Sequence, residues 1–242
     1  MKHTLLHRFS TLALGALLAF ASATHAATGS TRIDDAEATR KAHSPPKGFK
    51  TKKDYVLAEL DLRPGDVVVD IGAGDGVWAE PMARIVGEQG IIHAAEVDPK
   101  KVEGMKKRFA NLPQVRPYLC PTDSPGLPER SCDLAFLSES YHHLGTNAQI
   151  AYLKGLRSVL KPTGRVVIIE RYTEIGVGQG EHGTPLSRLV REAEEAGWVT
   201  VRTQLIPETY HYIAILAQKE LFPPEPKRDQ GKNKKKAPPK KS

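Results

Sequence analysis

Residues 66–78, Asp-Val-Val-Val-Asp-Ile-Gly-Ala-Gly-Asp-Gly-Val-Trp, constrain the fold more than any other stretch of the chain. Val67 to Ile71 is a short apolar, β-branched run, which suits a strand buried on both faces of a parallel sheet. Asp70 lies at the carboxyl end of that run. Gly72, Gly74 and Gly76 follow at every second position. Glycines so placed allow a tight turn, a backbone close to a ligand, and a helix that starts close to the strand. Trp78 to Val86 reads as that helix. The plain alternative is a glycine-rich turn that holds nothing. The acidic residue, the three glycines and the flanking elements together favour a ligand site.

The spacing separates ligand classes. A dinucleotide turn reads G-x-G-x-x-G and sets a pyrophosphate over the helix N-terminus. Here the third glycine falls one place early, Val77 holds the dinucleotide position, and Asp70 would oppose a pyrophosphate. A ligand with a cationic amino-acid end and no phosphate suits the loop better. D-x-G-x-G-x-G closely resembles motif I of the class I S-adenosylmethionine (SAM) dependent methyltransferases.

The rest of the chain is read in the same way. Its 242 residues are enough for one sizeable α/β domain. A short amphipathic helix is expected over 49–60, strands over 91–97, 115–120, 132–137 and 165–170, and a lysine-rich helix over 100–110. Thr146 or Asn147 is placed to cap a helix carrying Ile150, Leu153, Leu156 and Leu160, which Lys161-Pro162-Thr163-Gly164 stops. Residues 171–183 hold four glycines and read as a mobile loop. Thr184 as N-cap and Pro185 at the first position begin another helix, buried through Leu186, Leu189, Val190 and Ala193 and ended by Gly197. Strands over 199–206 and 210–217 are joined by Pro207-Glu208-Thr209, a connection short enough to make them antiparallel. The sum is α/β: a doubly wound, mostly parallel seven-stranded sheet with one antiparallel edge strand.

The same order of elements is what the methyltransferase resemblance implies, and the resemblance covers about residues 49–218. It is similar to the small methyltransferase-domain family of types 11 and 25. Four local matches carry it: Asp70–Gly76, Glu96, Asp123 before Leu127-Pro128, and Leu160 to Gly164, where Thr163 stands in place of the family's usual glycine.

The resemblance implies SAM as cofactor and assigns its contacts. Asp70 and the backbone around Gly72, Gly74 and Gly76 would face the methionine end. Glu96, twenty residues after Gly76, would accept the ribose hydroxyls, with Asp98 as its competitor. Asp123 matches the acid that bonds the adenine amino group in relatives, against the plain reading of a loop aspartate. Tyr141-His142-His143 follows the fourth strand, where relatives expose residues to the transferred methyl. His142 or His143 could take a proton from the acceptor, one facing in and the other packing. Glu139, Glu170, Arg171, Tyr172 and His182 would surround the same mouth. No metal-ligand cluster is apparent.

Charge is concentrated at the ends. The chain carries a net +7, but residues 223–242 hold eight Lys/Arg against two Asp/Glu, and residues 1–26 hold Lys2 and Arg8 and no acid. The segment between is nearly neutral, so the basicity does not require a nucleic-acid partner. The tail is expected to be disordered and to meet anionic surfaces through charge alone. Residues 1–26 read as a secretory signal peptide: a basic start, an apolar core at Leu12–Phe20, and small-residue cleavage candidates near Ala23 and Ala26. An uncleaved anchor is the alternative. Residues 27–48 form a linker, 49–222 the domain and 223–242 the tail. Cys120 and Cys132 are expected to be buried apolar positions, though an oxidising compartment would let them pair.

The reading is therefore an exported SAM-dependent methyltransferase acting on a small-molecule acceptor. Export raises the question of where SAM comes from. That conflict keeps two rivals in view: an exported non-catalytic module binding an adenosine-like ligand or a protein partner, and an aminopropyltransferase-like enzyme.

Overall fold

In the computed structural model, described over residues 52–145, 148–172 and 183–223, strands and helices alternate as the hydrophobic pattern requires. Helix α1 (Lys52–Glu59) leads into β1 (Val67–Ile71) and α2 (Ala79–Val86). Next come β2 (Ile91–Glu96), α3 (Pro99–Arg108), β3 (Val115–Leu119) and β4 (Cys132–Ser138). A 3-10 turn (Tyr141–His143) precedes α4 (Ala148–Val159) and β5 (Leu160–Arg171). Helix α5 (Leu186–Glu195) and the strands β6 (Trp198–Leu205) and β7 (His211–Gln218) complete the domain.

The seven strands lie in the order β3-β2-β1-β4-β5-β7-β6. Strands β3 to β5 run parallel, and β7 runs antiparallel to both β5 and β6. The reversed strand is thus one place in from the edge. The reason is the short 207–209 connection: it forces β7 back alongside β6, and β7 then slots between β6 and β5. Strand order reverses between β1 and β4, and ligands of open α/β sheets bind outside the carboxyl ends of strands at such a point.

Alternation along the strands builds two cores. Val69, Ile71, Ala135, Leu137, Val166 and Ile168 face α4 and α5. Val68, Leu134, Phe136, Val167 and Ile169 face α1, α2 and α3. Burying one such side chain contributes roughly 1.5–3 kcal/mol, so the slab fixes the ends of β1, β4 and β5 firmly.

Two boundaries differ from the sequence reading. Leu160 pairs with Cys132 and Arg165 with Leu134, so Lys161–Gly164 bulge out of β5 instead of closing a helix before it. Leu160 is buried on the α4–α5 side, and that burial draws the strand start forward. At α5, Pro185 itself is the N-cap (φ −57°, ψ 134°) and Thr184 is buried behind it, because the Tyr212 hydroxyl donates to the Thr184 carbonyl at 2.8 Å. Cys120 and Cys132 are buried free thiols, both pushed above the ordinary thiol range chiefly by burial. The residues expected as signal peptide, the Thr146/Asn147 cap, His182, most of the 171–183 loop and nearly all of the tail lie outside the described residues.

Candidate active site: a cofactor cradle and an acceptor mouth

Strand β1 delivers Asp70 to the carboxyl edge with 1% exposure. Its Oδ2 is buried and meets no hydrogen-bond donor among the described residues. Burial, and then the charge of Glu96, push the Asp70 carboxyl up to about 7. An orphaned buried acceptor at the mouth of a glycine loop fits a cationic ligand group, whose arrival would favour the charged carboxylate.

The loop itself divides its labour. All three glycines have left-handed φ: +71° at Gly72, +58° at Gly74 and +74° at Gly76. A Cβ on Gly72 would lie 2.6 Å from the Ser140 Cβ, and one on Gly76 would lie 2.6 Å from the Phe109 ring. Those two glycines are therefore required by packing within the protein. A Cβ on Gly74 would meet nothing within 4 Å. Gly74 is the member of the series whose open side is available to a ligand.

Glu96 ties this loop to the neighbouring strand. Its Oε2 accepts the Gly74 N–H at 2.7 Å, and its Oε1 accepts the Val97 and Asp98 N–H groups at 2.8 and 3.0 Å. A carboxylate has about four acceptor positions, so one remains for a ligand hydroxyl. Asp98, its competitor in the sequence, is engaged elsewhere, since its Oδ1 accepts the Lys100 N–H at 2.8 Å and caps α3. Val97, beside Glu96, is a half-exposed apolar side chain at the same edge. Asp123 lies exposed in the loop beyond β3. The structure thus brings Asp70, Gly74 and Glu96 together and leaves Asp123 out in solvent.

The histidine pair sits past β4 on the 3-10 turn. His142 Nδ1 lies 2.9 and 3.0 Å from the two Glu170 oxygens, and the His142 N–H also donates to Glu170 at 3.2 Å. Glu170 is fully buried, and the His142 side chain is 10% exposed. His143 is stacked obliquely on His142, ring centroids 4.0 Å apart. Behind the turn, the Tyr141 hydroxyl donates to Glu192 at 2.8 Å. Arg188 donates to Glu192 and to Gln149, both at 2.7 Å, and Gln149 returns to the Tyr141 carbonyl at 3.2 Å. This closed ring fixes the turn to α4 and α5. Sequence reading did not find it, because its members are 39 and 51 residues apart in the longest steps and no local pattern joins them.

A cleft of about 210 Å³ opens beside the glycine loop. Val56, Trp78, Ile169 and Ile206 wall it, and Lys52, Lys53, Ser138, Glu139, Thr209 and His211 supply its polar groups. Trp78 is held edge-on to Phe136 at 5.4 Å, and its indole N–H donates to Ser138 at 3.1 Å. The cleft therefore adjoins the cradle through Trp78. Among the described residues no helix is long and apolar enough to cross a membrane.

Comparison with known proteins agrees with this geometry. Residues 68–164 match the family model "Methyltransferase domain", which spans β1 to the bulge of β5. The chain is 27% identical over 119 residues to the ubiquinone/menaquinone biosynthesis C-methyltransferase UbiE of Cupriavidus metallidurans, covering 49% of this chain and 48% of that one. Its matches span between about a third and a half of the length of the first curated relatives. In fold it is similar to a SAM-dependent methyltransferase from Aquifex aeolicus (TM-score 0.59, 22% identity, 74% of this chain and 96% of that one). It is also similar to a Bordetella parapertussis protein described as a possible exported protein (TM-score 0.56, 13% identity, 76% and 78%). The fold is the Rossmann-like fold of these methyltransferases. Residues 68–164 thus resemble a methyltransferase domain, and the fold is the one seen in SAM-dependent methyltransferases.

Proposed function

We propose that the protein binds SAM in the cradle of Asp70, Gly74 and Glu96 and transfers its methyl group to a small-molecule acceptor. The observation that carries this reading is the buried, unpartnered Asp70 Oδ2 beside a loop whose Gly74 is open on its outer side. Asp70 would hold the ammonium of the methionine end, the open face of Gly74 would let the ligand approach the backbone, and the spare acceptor of Glu96 would take a ribose hydroxyl. When bound, SAM supplies an electrophilic methyl on a positive sulfur with a good leaving group. The chain's own contribution is alignment and exclusion of water.

Within this reading His142 is a positioning residue. Glu170 occupies its Nδ1 and leaves the ring little exposed, so the pair anchors the carboxyl edge of β4 to that of β5. Export of the domain is supported by the basic, apolar and small-residue segments of residues 1–26 and by the likeness to the Bordetella protein. Titration calorimetry of residues 27–223 with SAM and with S-adenosylhomocysteine tests the function. Saturable binding of both supports it, and binding of neither rejects it in favour of a non-catalytic module.

A further inference from the structure

We infer that the cleft beside Trp78 is the acceptor subsite and that it selects an uncharged single-ring compound through its apolar walls, because the charged groups that line it are already committed within the protein. This rests on the proposed methyltransferase reading and specifies the acceptor side of the same site.

The walls come from four parts of the fold. Val56 on α1, Trp78 at the start of α2, Ile169 near the end of β5 and Ile206 after β6 supply apolar surface. Ser138 and Ile169 are paired across β4 and β5 at the carboxyl edge of the sheet, where ligands of such sheets bind. Trp78 follows the glycine loop directly, so the cleft and the cradle share a wall. Helix α1 is tied to β6 and its hairpin at two places: Glu59 lies 2.7 Å from Arg202, and Lys52 donates to the Glu208 carbonyl at 2.9 Å. These ties set the width of the cleft before a ligand enters. An apolar cavity of about 150 Å³ takes a benzene-sized guest. The cleft, at about 210 Å³, has room for one substituted ring.

The charges around it cancel locally. Lys52, besides its bond to the Glu208 carbonyl, lies 4.0 Å from the Glu208 carboxylate. Lys53 donates to the Val77 carbonyl at 2.9 Å and stands 5.3 Å from the centre of the Trp78 ring. His211 Nε2 is buried and lies 3.2 Å from the Glu139 carboxylate. The neutral groups are spent as well. The Thr209 hydroxyl donates to the Ile206 carbonyl at 2.8 Å and accepts the His211 N–H at 3.1 Å. The Trp78 indole N–H goes to Ser138. What remains to meet a ligand is hydrocarbon and the hydroxyl hydrogen of Ser138, which is donated to no acceptor among the described residues.

An ion entering this cleft sheds water and finds no uncommitted counter-charge, which is the costly way to bury a charge. A neutral ring escapes that cost and covers the four apolar side chains. One oxygen substituent on the ring finds its donor in Ser138.

Benzyl alcohol, benzylamine and benzoate share a ring and a one-carbon arm and differ in charge, so they are the probes. They are titrated into the full chain at low salt and followed by ligand-detected NMR. We expect benzyl alcohol to bind saturably and the two ions to bind at least about tenfold more weakly. Ile206→Phe, which fills the cleft, should weaken benzyl alcohol about tenfold and leave S-adenosylhomocysteine affinity unchanged. Glu208→Asn removes the carboxylate beside Lys52 on a left-handed turn position (φ +57°) that Asn tolerates, and should raise benzoate affinity severalfold. It keeps the test decisive should Ile206→Phe fail to fold. The inference is overturned if benzyl alcohol does not saturate, if the wild type binds either ion as tightly as the alcohol, if folded Ile206→Phe keeps full affinity for the alcohol, or if Glu208→Asn leaves benzoate affinity unmoved. S-adenosylhomocysteine binding, measured on the same samples, reports separately on the cofactor reading.

Discussion

The Glu96 carboxylate accepts the Gly74 N–H at 2.7 Å, joining the end of β2 to the glycine loop after β1. One residue thus both shapes the cradle and offers it an acceptor. Glu96→Ala should remove charge-assisted hydrogen bonds worth roughly 1.5–3 kcal/mol each and lower SAM affinity about tenfold or more. Circular dichroism should show a folded mutant, and unchanged affinity in that folded mutant would remove Glu96 from the site.

The three glycines should separate by phenotype. Gly72→Ala and Gly76→Ala place a Cβ 2.6 Å from Ser140 and from Phe109, in a left-handed backbone. Each should cost about 2 kcal/mol or more, read as a fall in thermal midpoint. Gly74→Ala has open space, so its cost should stay near 1 kcal/mol, about that of the left-handed backbone alone. Its larger effect should fall on SAM affinity. Equal destabilisation by all three would contradict the division.

Asp70 links pH to both stability and binding. Its folded carboxyl sits at about 7 against an ordinary 3.8, so the folded state holds its proton more tightly than the unfolded one. That contribution to stability is complete below the unfolded value and is lost as pH rises to about 7. It amounts to at most about 4 kcal/mol across the window. Asp70→Asn should flatten this loss in chemical denaturation. Binding runs the other way, because the charged carboxylate is what attracts an ammonium. Wild-type SAM affinity should rise with pH through neutrality, and Asp70→Asn should bind weakly with no such rise.

The Tyr141–Glu192–Arg188 ring supports the histidine turn from behind. Tyr141→Phe removes one hydrogen bond and should cost about 1 kcal/mol. Glu192→Ala leaves the buried Tyr141 hydroxyl without its acceptor and Arg188 with Gln149 alone, and should cost about 2–3 kcal/mol. Both should slow methyl transfer more than they weaken SAM binding. Loss of SAM affinity equal to the loss of turnover would place the ring at the cradle instead.

The sequence made some of this legible and hid the rest for identifiable reasons. Strand β1 over Val67–Ile71 was readable to the residue, because a β-branched run between Asp66 and a glycine series has few other uses. The placement of Asp70 and Glu96 at the carboxyl ends of β1 and β2 was legible because both close apolar runs at fixed spacing to the glycines. The His142–Glu170 contact was not, since its partners stand 28 residues apart, past β4 and at the end of β5, and no local pattern joins them. The N-cap at Pro185 was missed because the contact that buries Thr184 comes from Tyr212, on a different strand. Tertiary packing, invisible to local pattern, decided each of these.

The central claim, that Asp70, Gly74 and Glu96 form a SAM cradle, is tested most directly by calorimetric titration of S-adenosylhomocysteine into wild-type protein and the Glu96→Ala and Asp70→Asn variants. The account predicts one site per chain in the wild type and affinities about tenfold weaker in each variant. Absence of binding to the wild type, or equal affinity in all three proteins, would contradict it.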